Sequence, residues 1–382
     1  MDITQRPISW QFRKTLKYLG LYGISRTISK IRSQYHMKRV FNPLPPSRPL
    51  AGNKAHVGIV GCGKFAFSTV AYFLHKNFGR VIHSAMDINI NRAVSLYQTY
   101  SLNKYSSDVS ELLCDPAVDL IFVVSNHASH AEYAISALDA GKSVHIEKPH
   151  VVTVDQLTRL CTAMRRSKGL VRLGFNRPCS TFGREIKVAL AEQSGPIIMN
   201  WFIAGHELGA DHWYLSDQEG GRVLGNLCHW IDFAYQMIEP KNRYPIEIRP
   251  VRTKSSSAGI VLSLCFGDGS VATFTFAEVG TMDGVRERLH LHKGRLLVTM
   301  EDFHRLTLEV GDTKKVLSLW GRDHGHENSV VQSYRMVRPK EGESTVCTLP
   351  YVWEIGELAL KAKEAVETDR TITVDAYRVP DL

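Results

Sequence analysis

The chemistry-bearing residues of this chain gather where strand patterns end. In residues 143–150, S-V-H-I-E-K-P-H, a short apolar strand runs into Glu147-Lys148-Pro149. The carboxyl end of such a strand is where open α/β sheets bind ligands. By themselves these three residues fit a ligand-facing lysine and a solvent-facing one equally well. Upstream stands Gly61-Cys62-Gly63-Lys64-Phe65-Ala66, a G-x-G-x-x-A pattern between a strand pattern at 56–60 and the helical spacing of Val70, Phe73 and Leu74. In that setting the pattern is a dinucleotide signature. Gly61 permits the tight turn, Gly63 lets a pyrophosphate approach the backbone, and Ala66 allows close helix–strand packing. Lys64 and Phe65 open the helix whose amino terminus faces the phosphates.

Asp87 ends the next strand pattern, 81–86, twenty-four residues beyond Gly63. A carboxylate there accepts hydrogen bonds from ribose hydroxyls and repels a 2′-phosphate, which favours NAD over NADP. Arg92 lies close enough in sequence to keep NADP open. The predominantly apolar run 118–124 ends in Ser125-Asn126-His127, with His130 beyond. Strand 171–175 ends in Asn176-Arg177, which read alone is also a plain strand-end turn.

The elements that must carry these groups alternate strand and helix. Helical patterns at 130–140 and 153–167 separate the strands, and Gly141 stops the first. That order predicts a right-handed parallel sheet of the Rossmann type. From residue 246 the pattern changes to alternating strands, with hairpin signals at Gly267-Asp268-Gly269-Ser270 and turns at Lys293-Gly294 and Gly311-Asp312. The expected fold is an α/β Rossmann domain plus an α+β domain with an open, mostly antiparallel sheet. The expected division is an arm and linker at 1–52, the dinucleotide domain at 53–150, and a substrate and oligomerisation domain at 151–382. A closing helix near 358–365 is expected to return to the first domain.

With 382 residues, 44% hydrophobic and 22% charged, the chain is of ordinary globular composition. Seven scattered cysteines without metal-ligand spacing point to a reducing, cytoplasmic setting and to no zinc site. The net charge of +9 is concentrated: residues 1–50 hold ten Lys/Arg and one acid, and the rest is balanced. The body therefore carries no general attraction to nucleic acid. In the arm, Phe12, Leu16 and Leu19, then Ile24, Ile28, Ile31 and Tyr35, fall at helical spacing, with Gly20 and Gly23 between. Two short basic amphipathic helices are predicted, followed by a linker with Pro43, Pro45, Pro46 and Pro49. Three roles compete for residues 1–40: packing on the body or a partner subunit, peripheral contact with an anionic membrane, and organelle targeting.

The run S-N-H-A-S-H-A-E-Y-A-I-S-A-L-D-A-G-K-S-V-H-I-E-K-P resembles the glucose–fructose oxidoreductase and inositol dehydrogenase (Gfo/Idh/MocA) family. The resemblance covers roughly residues 55 to 375. It implies an NAD(P)-dependent oxidoreductase moving a hydride between a secondary alcohol of a sugar and nicotinamide. Lys148 would lie beside nicotinamide and substrate hydroxyl as the base, its pKa lowered by burial and by NAD⁺. Cofactor contacts would come from Gly61, Gly63, Lys64, Phe65, Ala66, Asp87, Ser125, Asn126, His130, Glu147, Lys148 and Arg177. His127, Asn176, Asp211, His212 and Asn226 are candidates for substrate contact.

The motif E-G-G-R-V-L-G-N-L-C-H-W-I-D carries the second catalytic candidate, His229. Much of the family has an aspartate four residues earlier, where this chain has Gly225. Asp211, His212 and Asp232 are possible substitutes. The motif is similar to R-x-x-G-E-x-C-H of the reductase half of two-domain oxidoreductases linked to surface polysaccharide, with Asn226 replacing the glutamate. That subgroup implies a sugar-nucleotide substrate. The family also implies a homo-oligomer through the carboxyl-terminal sheet. Two alternatives stay open: a redox-assisted lyase or glycosidase that recycles a tightly held NAD, and a non-catalytic dinucleotide-binding sensor. His324 and His326, in R-D-H-G-H-E, are expected at the surface rather than on a metal.

Overall fold

The computed structural model describes residues 4, 6–47, 55–205, 208, 212–251, 259–277, 284–340, 342 and 345–376. Two sheets organise them. The first is built from β1 (Val57–Val60), β2 (Ile82–Met86), β3 (Lys104–Ser106), β4 (Leu120–Val123), β5 (Ser143–Ile146) and β6 (Val171–Leu173). All its pairings are parallel, in the order β3-β2-β1-β4-β5-β6. Strands β1, β2, β4 and β5 are buried along their whole length, as a sheet covered on both faces requires. Because β6 pairs with β5, this sheet continues past residue 150 to Leu173. The short edge strand β3 had no signal in the periodicity.

The strand order reverses between β1 and β4, and a crevice opens there at the carboxyl ends. Gly61 makes the turn out of β1 with φ +88, and a Cβ on it would stand 2.6 Å from the Ser125 backbone. No other residue type fits both the dihedral and the space.

The second sheet has nine strands: β7 (Ile197–Ala204), β8 (Ile246–Val251), β9 (Ile260–Cys265), β10 (Val271–Ala277), β11 (Arg286–Lys293), β12 (Leu296–Glu301), β13 (Arg305–Val310), β14 (Thr313–Ser318) and β15 (Ile372–Val374). Their order is β14-β13-β12-β11-β7-β10-β9-β8-β15, antiparallel except for the β7–β10 pair. Along β7, Met199, Trp201 and Ile203 face the core, while Ile198 and Phe202 face outward.

The helices are α1 (Ile8–His36), α2 (Ala71–Phe78), α3 (Ile90–Tyr100), α4 (Ser110–Leu113), α5 (His127–Asp139), α6 (Val154–Arg166), α7 (Thr181–Ala191), α8 (Cys228–Met237), α9 (His326–Arg335) and α10 (Leu349–Thr368). Helix α8 packs on the inner face of the second sheet, with Trp201 and Phe233 edge to face at 5.2 Å. Helix α10 packs on α6 of the parallel layer and on α8. Wider π turns at Ala66–Val70 and Val223–Leu227 precede α2 and α8. Both lie at the crevice, a common place for such turns. Among the described residues no helix is long and apolar enough to cross a membrane.

The arm corrects an expectation. Helix α1 consists of two helical runs that meet at Gly23, φ 75. Its apolar residues Phe12, Leu16, Ile24, Ile28 and Tyr35 are exposed, and Lys14, Thr27, Ser29, Ser33 and His36 are buried. Its inward side carries polar and basic groups that meet backbone and hydroxyl oxygens and aromatic rings of the body. His36 Nε2 sits 2.7 Å from the Cys62 carbonyl in the glycine loop. Arg26 Nη2 donates to Thr69 Oγ1 at 2.8 Å.

Gly61→Ala is expected to destabilise the protein by more than about 1 kcal/mol, from strained backbone and steric overlap together. A lowered urea midpoint with an unchanged m-value checks it.

Candidate active site

Strand β5 carries Lys148 to the crevice. Its Nζ donates to the Gly225 carbonyl at 2.8 Å and lies 5.8 Å from the centre of the Tyr214 ring. The Tyr214 hydroxyl donates to the same Gly225 carbonyl. A Cβ on Gly225 would meet the Tyr214 ring at 2.3 Å. The phenol therefore occupies the space beside Lys148 that a side chain at position 225 would need. Burial opposes the Lys148 ammonium, but Tyr214, Cys228 and Glu147 outweigh it and hold the pKa above its ordinary value. This reverses the direction expected from burial. Burial pushes the Tyr214 phenol up as well.

Tyr214 was missed in the sequence. The signal was available: a glycine at 225 leaves a void beside the lysine, and A-D-H-W-Y holds an aromatic residue to fill it. His212 caps the short turn Trp213–Leu215, with Nδ1 accepting from Tyr214 N at 3.3 Å. It thus positions the phenol. Asp211 lies outside the described residues. Asp232 is engaged by residues other than Lys148. It accepts from Tyr351 Oη at 2.5 Å and Gln236 Nε2 at 2.9 Å, and burial raises its pKa to about 7.

His229, on α8, lines the same cleft. Its Nδ1 is buried without a hydrogen-bond partner among the described residues. Burial, then Arg177 and Lys148, hold its pKa well below the ordinary value, so it is a neutral acceptor or donor. Arg177 is engaged by Glu287 of β11, with Nε and Nη2 both 2.8 Å from the carboxylate. Its guanidinium lies 4.2 Å from the Trp230 ring centroid, and Trp230 Nε1 donates to Glu287 at 2.7 Å. Glu287 lay within a strand pattern and gave no functional signal. Asn176 Nδ2 donates to the His324 carbonyl at 2.6 Å, and Asn176 Oδ1 is buried without a partner among the described residues. His324 and His326 line the cleft rather than the surface, and burial holds both neutral. Among the described residues no cluster of His, Cys, Asp and Glu could hold a metal ion.

Other candidates brace the site. Asn126 Nδ2 donates to Glu219 at 2.6 Å, and Ala128 N donates to its other oxygen at 3.1 Å. His127 Nδ1 lies 2.9 Å from the Glu219 carbonyl, and its ring meets Tyr214 edge on at 4.6 Å. His130 stands between the Pro149 and Ser125 carbonyls at 2.7 and 3.1 Å. The Glu147 carboxylate lies 3.2 Å from His145 Nε2 and against Gly174, where a Cβ would come within 2.8 Å. Asn226 Oδ1 accepts from Arg222 Nη1 at 3.5 Å.

The crevice fits a dinucleotide. Space for a Cβ at Gly63 is open, so the backbone there is accessible. Asp87 Oδ2 accepts from Cys62 N and Oδ1 from Asn89 N, each at 2.8 Å. Each oxygen keeps a lone pair for a ribose hydroxyl. Arg92 Nη1 stands 3.9 Å from Asp87 Oδ1. Lys64, Phe65, Ser125, Lys148 and His229 line one cleft of about 1100 Å³.

Fold and site define a dinucleotide-binding protein of the Rossmann class with a sheet-covered second domain. Residues 55–175 match the family described as oxidoreductase family, NAD-binding Rossmann fold. Through this segment, about a third of its length, the chain is similar to the Gfo/Idh/MocA oxidoreductases. It is 28% identical over 202 residues to inositol 2-dehydrogenase/D-chiro-inositol 3-dehydrogenase of Shouchella clausii (strain KSM-K16), covering 52% of this chain and 57% of the relative. It is 30% identical over 134 residues to the uncharacterized oxidoreductase YrbE of Bacillus subtilis (strain 168), covering 34% of this chain and 38% of the relative. The matched segments thus span between about two fifths and three fifths of those relatives. GenD2 from gentamicin A biosynthesis, solved with NAD, superposes with a TM-score of 0.71 at 18% identity, covering 87% of this chain and 99% of that one. Levoglucosan dehydrogenase, solved with NADH and levoglucosan, gives 0.72 at 14% identity, covering 85% and 100%.

Asp232 links site and stability. Its folded pKa of about 7 lies above the ordinary carboxylate value, so its contribution is complete below about pH 4 and declines as pH rises to 7. Asp232→Asn is expected to flatten the fall in stability across that window, read by urea unfolding at a series of pH values.

Proposed function

We propose that this protein is an NAD-dependent oxidoreductase acting on a secondary alcohol, or the matching ketone, of a sugar or sugar nucleotide. The observation that carries this reading is the Lys148 ammonium, held between Gly225 O and Tyr214 beside the dinucleotide crevice. Bound nicotinamide supplies the hydride chemistry. Lys148 holds the proton that is exchanged with the substrate oxygen. Its raised pKa suits protonation of a carbonyl oxygen during reduction. In alcohol oxidation the cationic NAD⁺ opposes the ammonium and helps convert it to a base. Tyr214 replaces the family aspartate as the partner of that lysine. Neutral His229, with its unpartnered Nδ1, orients the substrate hydroxyl.

The match to inositol dehydrogenases supports a polyol or sugar substrate. Asp87 supports NAD over NADP. The R-x-x-G-N-x-C-H motif supports a place in surface-polysaccharide or glycoconjugate synthesis. The second reading, a lyase or glycosidase with recycled NAD, is favoured by α1, which lies across the cleft with Leu21 O accepting from Arg322 N at 2.8 Å. NAD that survives purification, with turnover independent of added cofactor, distinguishes it.

For its partners, we infer a homo-oligomer through the outer face of the nine-stranded sheet, where Ile198, Phe202 and Leu297 are exposed. The arm's outward Phe12, Leu16 and Ile24 beside its basic residues support peripheral contact with an anionic membrane.

Lys148→Ala is expected to keep NADH binding and abolish NADH-linked turnover in a screen of sugar nucleotides. Full turnover by that variant excludes the assignment. Tyr214→Phe is expected to lower kcat by about 10²-fold. Because Tyr214 helps to raise the Lys148 pKa, its loss should also move the alkaline fall of carbonyl reduction to lower pH. Phe202→Asp is expected to reduce the oligomer mass in light scattering while leaving the fold intact.

A further inference from the structure

Lys30, on the inward side of α1, is an enclosed cation with no salt-bridge partner among the described residues. Its Nζ lies 4.6 Å from the Tyr22 ring centroid and 5.8 Å from that of Tyr18. Burial, then Arg26, Lys14 and Arg322, push its pKa down to about 7. Each of those charged neighbours is itself a cation; Arg322 pairs with Asp302 at 3.7 Å and Arg26 is within reach of Glu327, but neither carboxylate acts on Lys30. Arg26 lies one helical turn earlier. Its Nη2 is bound to Thr69 at 2.8 Å, but Nη1 is buried with no partner among the described residues. The guanidinium is clamped against Phe73 and Tyr72, at 4.6 and 5.2 Å. Gln34 Oε1, on the next turn after Lys30, is also buried and unpartnered among the described residues.

Burying cations against one another is costly unless an anion joins them. The arm is fixed so that this cost persists. Leu21 O holds it to the second domain at 2.8 Å, and His36 lies 2.7 Å from the Cys62 carbonyl of the glycine loop. Thr69 belongs to the helical stretch that begins just after Gly63, whose amino terminus is suited to phosphate. Arg26 and Lys30 line the same cleft as Lys64, Lys148 and His229. That cleft has a volume of about 1100 Å³.

We propose that Arg26 and Lys30 of α1 form a subsite for a diphosphate group, which either the dinucleotide or a sugar nucleotide would supply. The arm is then a working part of the active site rather than an appendage. The choice of nucleotide ligands rests on the oxidoreductase reading, but the diphosphate chemistry does not.

The test is calorimetric titration of the full chain with inorganic pyrophosphate, with NADH, and with UDP in the presence of NADH. The Arg26→Gln/Lys30→Gln double variant is expected to weaken pyrophosphate and at least one nucleotide by about tenfold or more, as loss of charge-assisted hydrogen bonds predicts. Lys30→Arg should retain most of the affinity. Weakened NADH assigns the subsite to the cofactor, and weakened UDP assigns it to the substrate. Unchanged affinity for all three overturns the proposal. Thermal melting verifies folding. Where the double variant does not fold, Lys30→Gln alone carries the same comparison. Pyrophosphate binding without NADH binding in the wild type would remove the oxidoreductase reading and keep the subsite. Normal NADH-linked turnover with unaltered affinities in the variant does the reverse.

Discussion

An ammonium brought to the end of a buried strand must keep oxygen atoms around it. Much of this cleft follows from that need at Lys148. Strand β5 places the lysine, and the Gly225 carbonyl and Tyr214 surround it. Tyr214 is packed against His127, whose ring nitrogen faces the Glu219 carbonyl. The Glu219 carboxylate fixes Asn126 and the amino terminus of α5. One unbroken set of contacts therefore runs from the lysine through the turn before α8 and back to the parallel sheet. Its members come from segments far apart in the chain, and each is needed to hold the next.

A second buried charge ties the two sheets together. The Glu287 carboxylate on β11 takes two bonds from Arg177, which follows β6, and one from Trp230 on α8. Buried ion pairs add little net stability, but removing one member leaves a costly lone charge. The arrangement therefore fixes geometry more than it adds stability. It sets where Arg177 and the neighbouring Asn176 stand relative to His229.

The parallel sheet was legible because its strands are short apolar runs punctuated by glycine and helical spacing. The glycine loop was readable because its turn restricts what stands at Gly61, whereas Asp87 and Lys148 were picked out by their places at strand ends, and Lys148 also by the E-K-P motif. His229 was readable only through its motif. Glu287 and Glu219 were not: an acid within a strand or turn has no periodic signature, and their partners lie about a hundred residues away. The arm shows a different limit. Spacing correctly indicated two helical runs broken at Gly23, yet the usual rule that the apolar face turns inward failed. The surface beneath α1 offers the Cys62 carbonyl, the Thr69 hydroxyl and the faces of Tyr72 and Phe73, which polar and cationic groups can meet. His324 and His326 were misplaced for a related reason, since the fold closes a cleft over a loop that reads as polar and exposed.

The fit of Tyr214 into the space above Gly225 constrains how this site can change. A side chain at 225 is excluded while the phenol is present, because even a Cβ would overlap the ring. Shortening Tyr214 first would leave the lysine with neither phenol nor carboxylate. An aspartate-bearing site and this tyrosine-bearing one are therefore separate local solutions. Moving between them requires two substitutions, and either one taken first passes through a sequence with a damaged site.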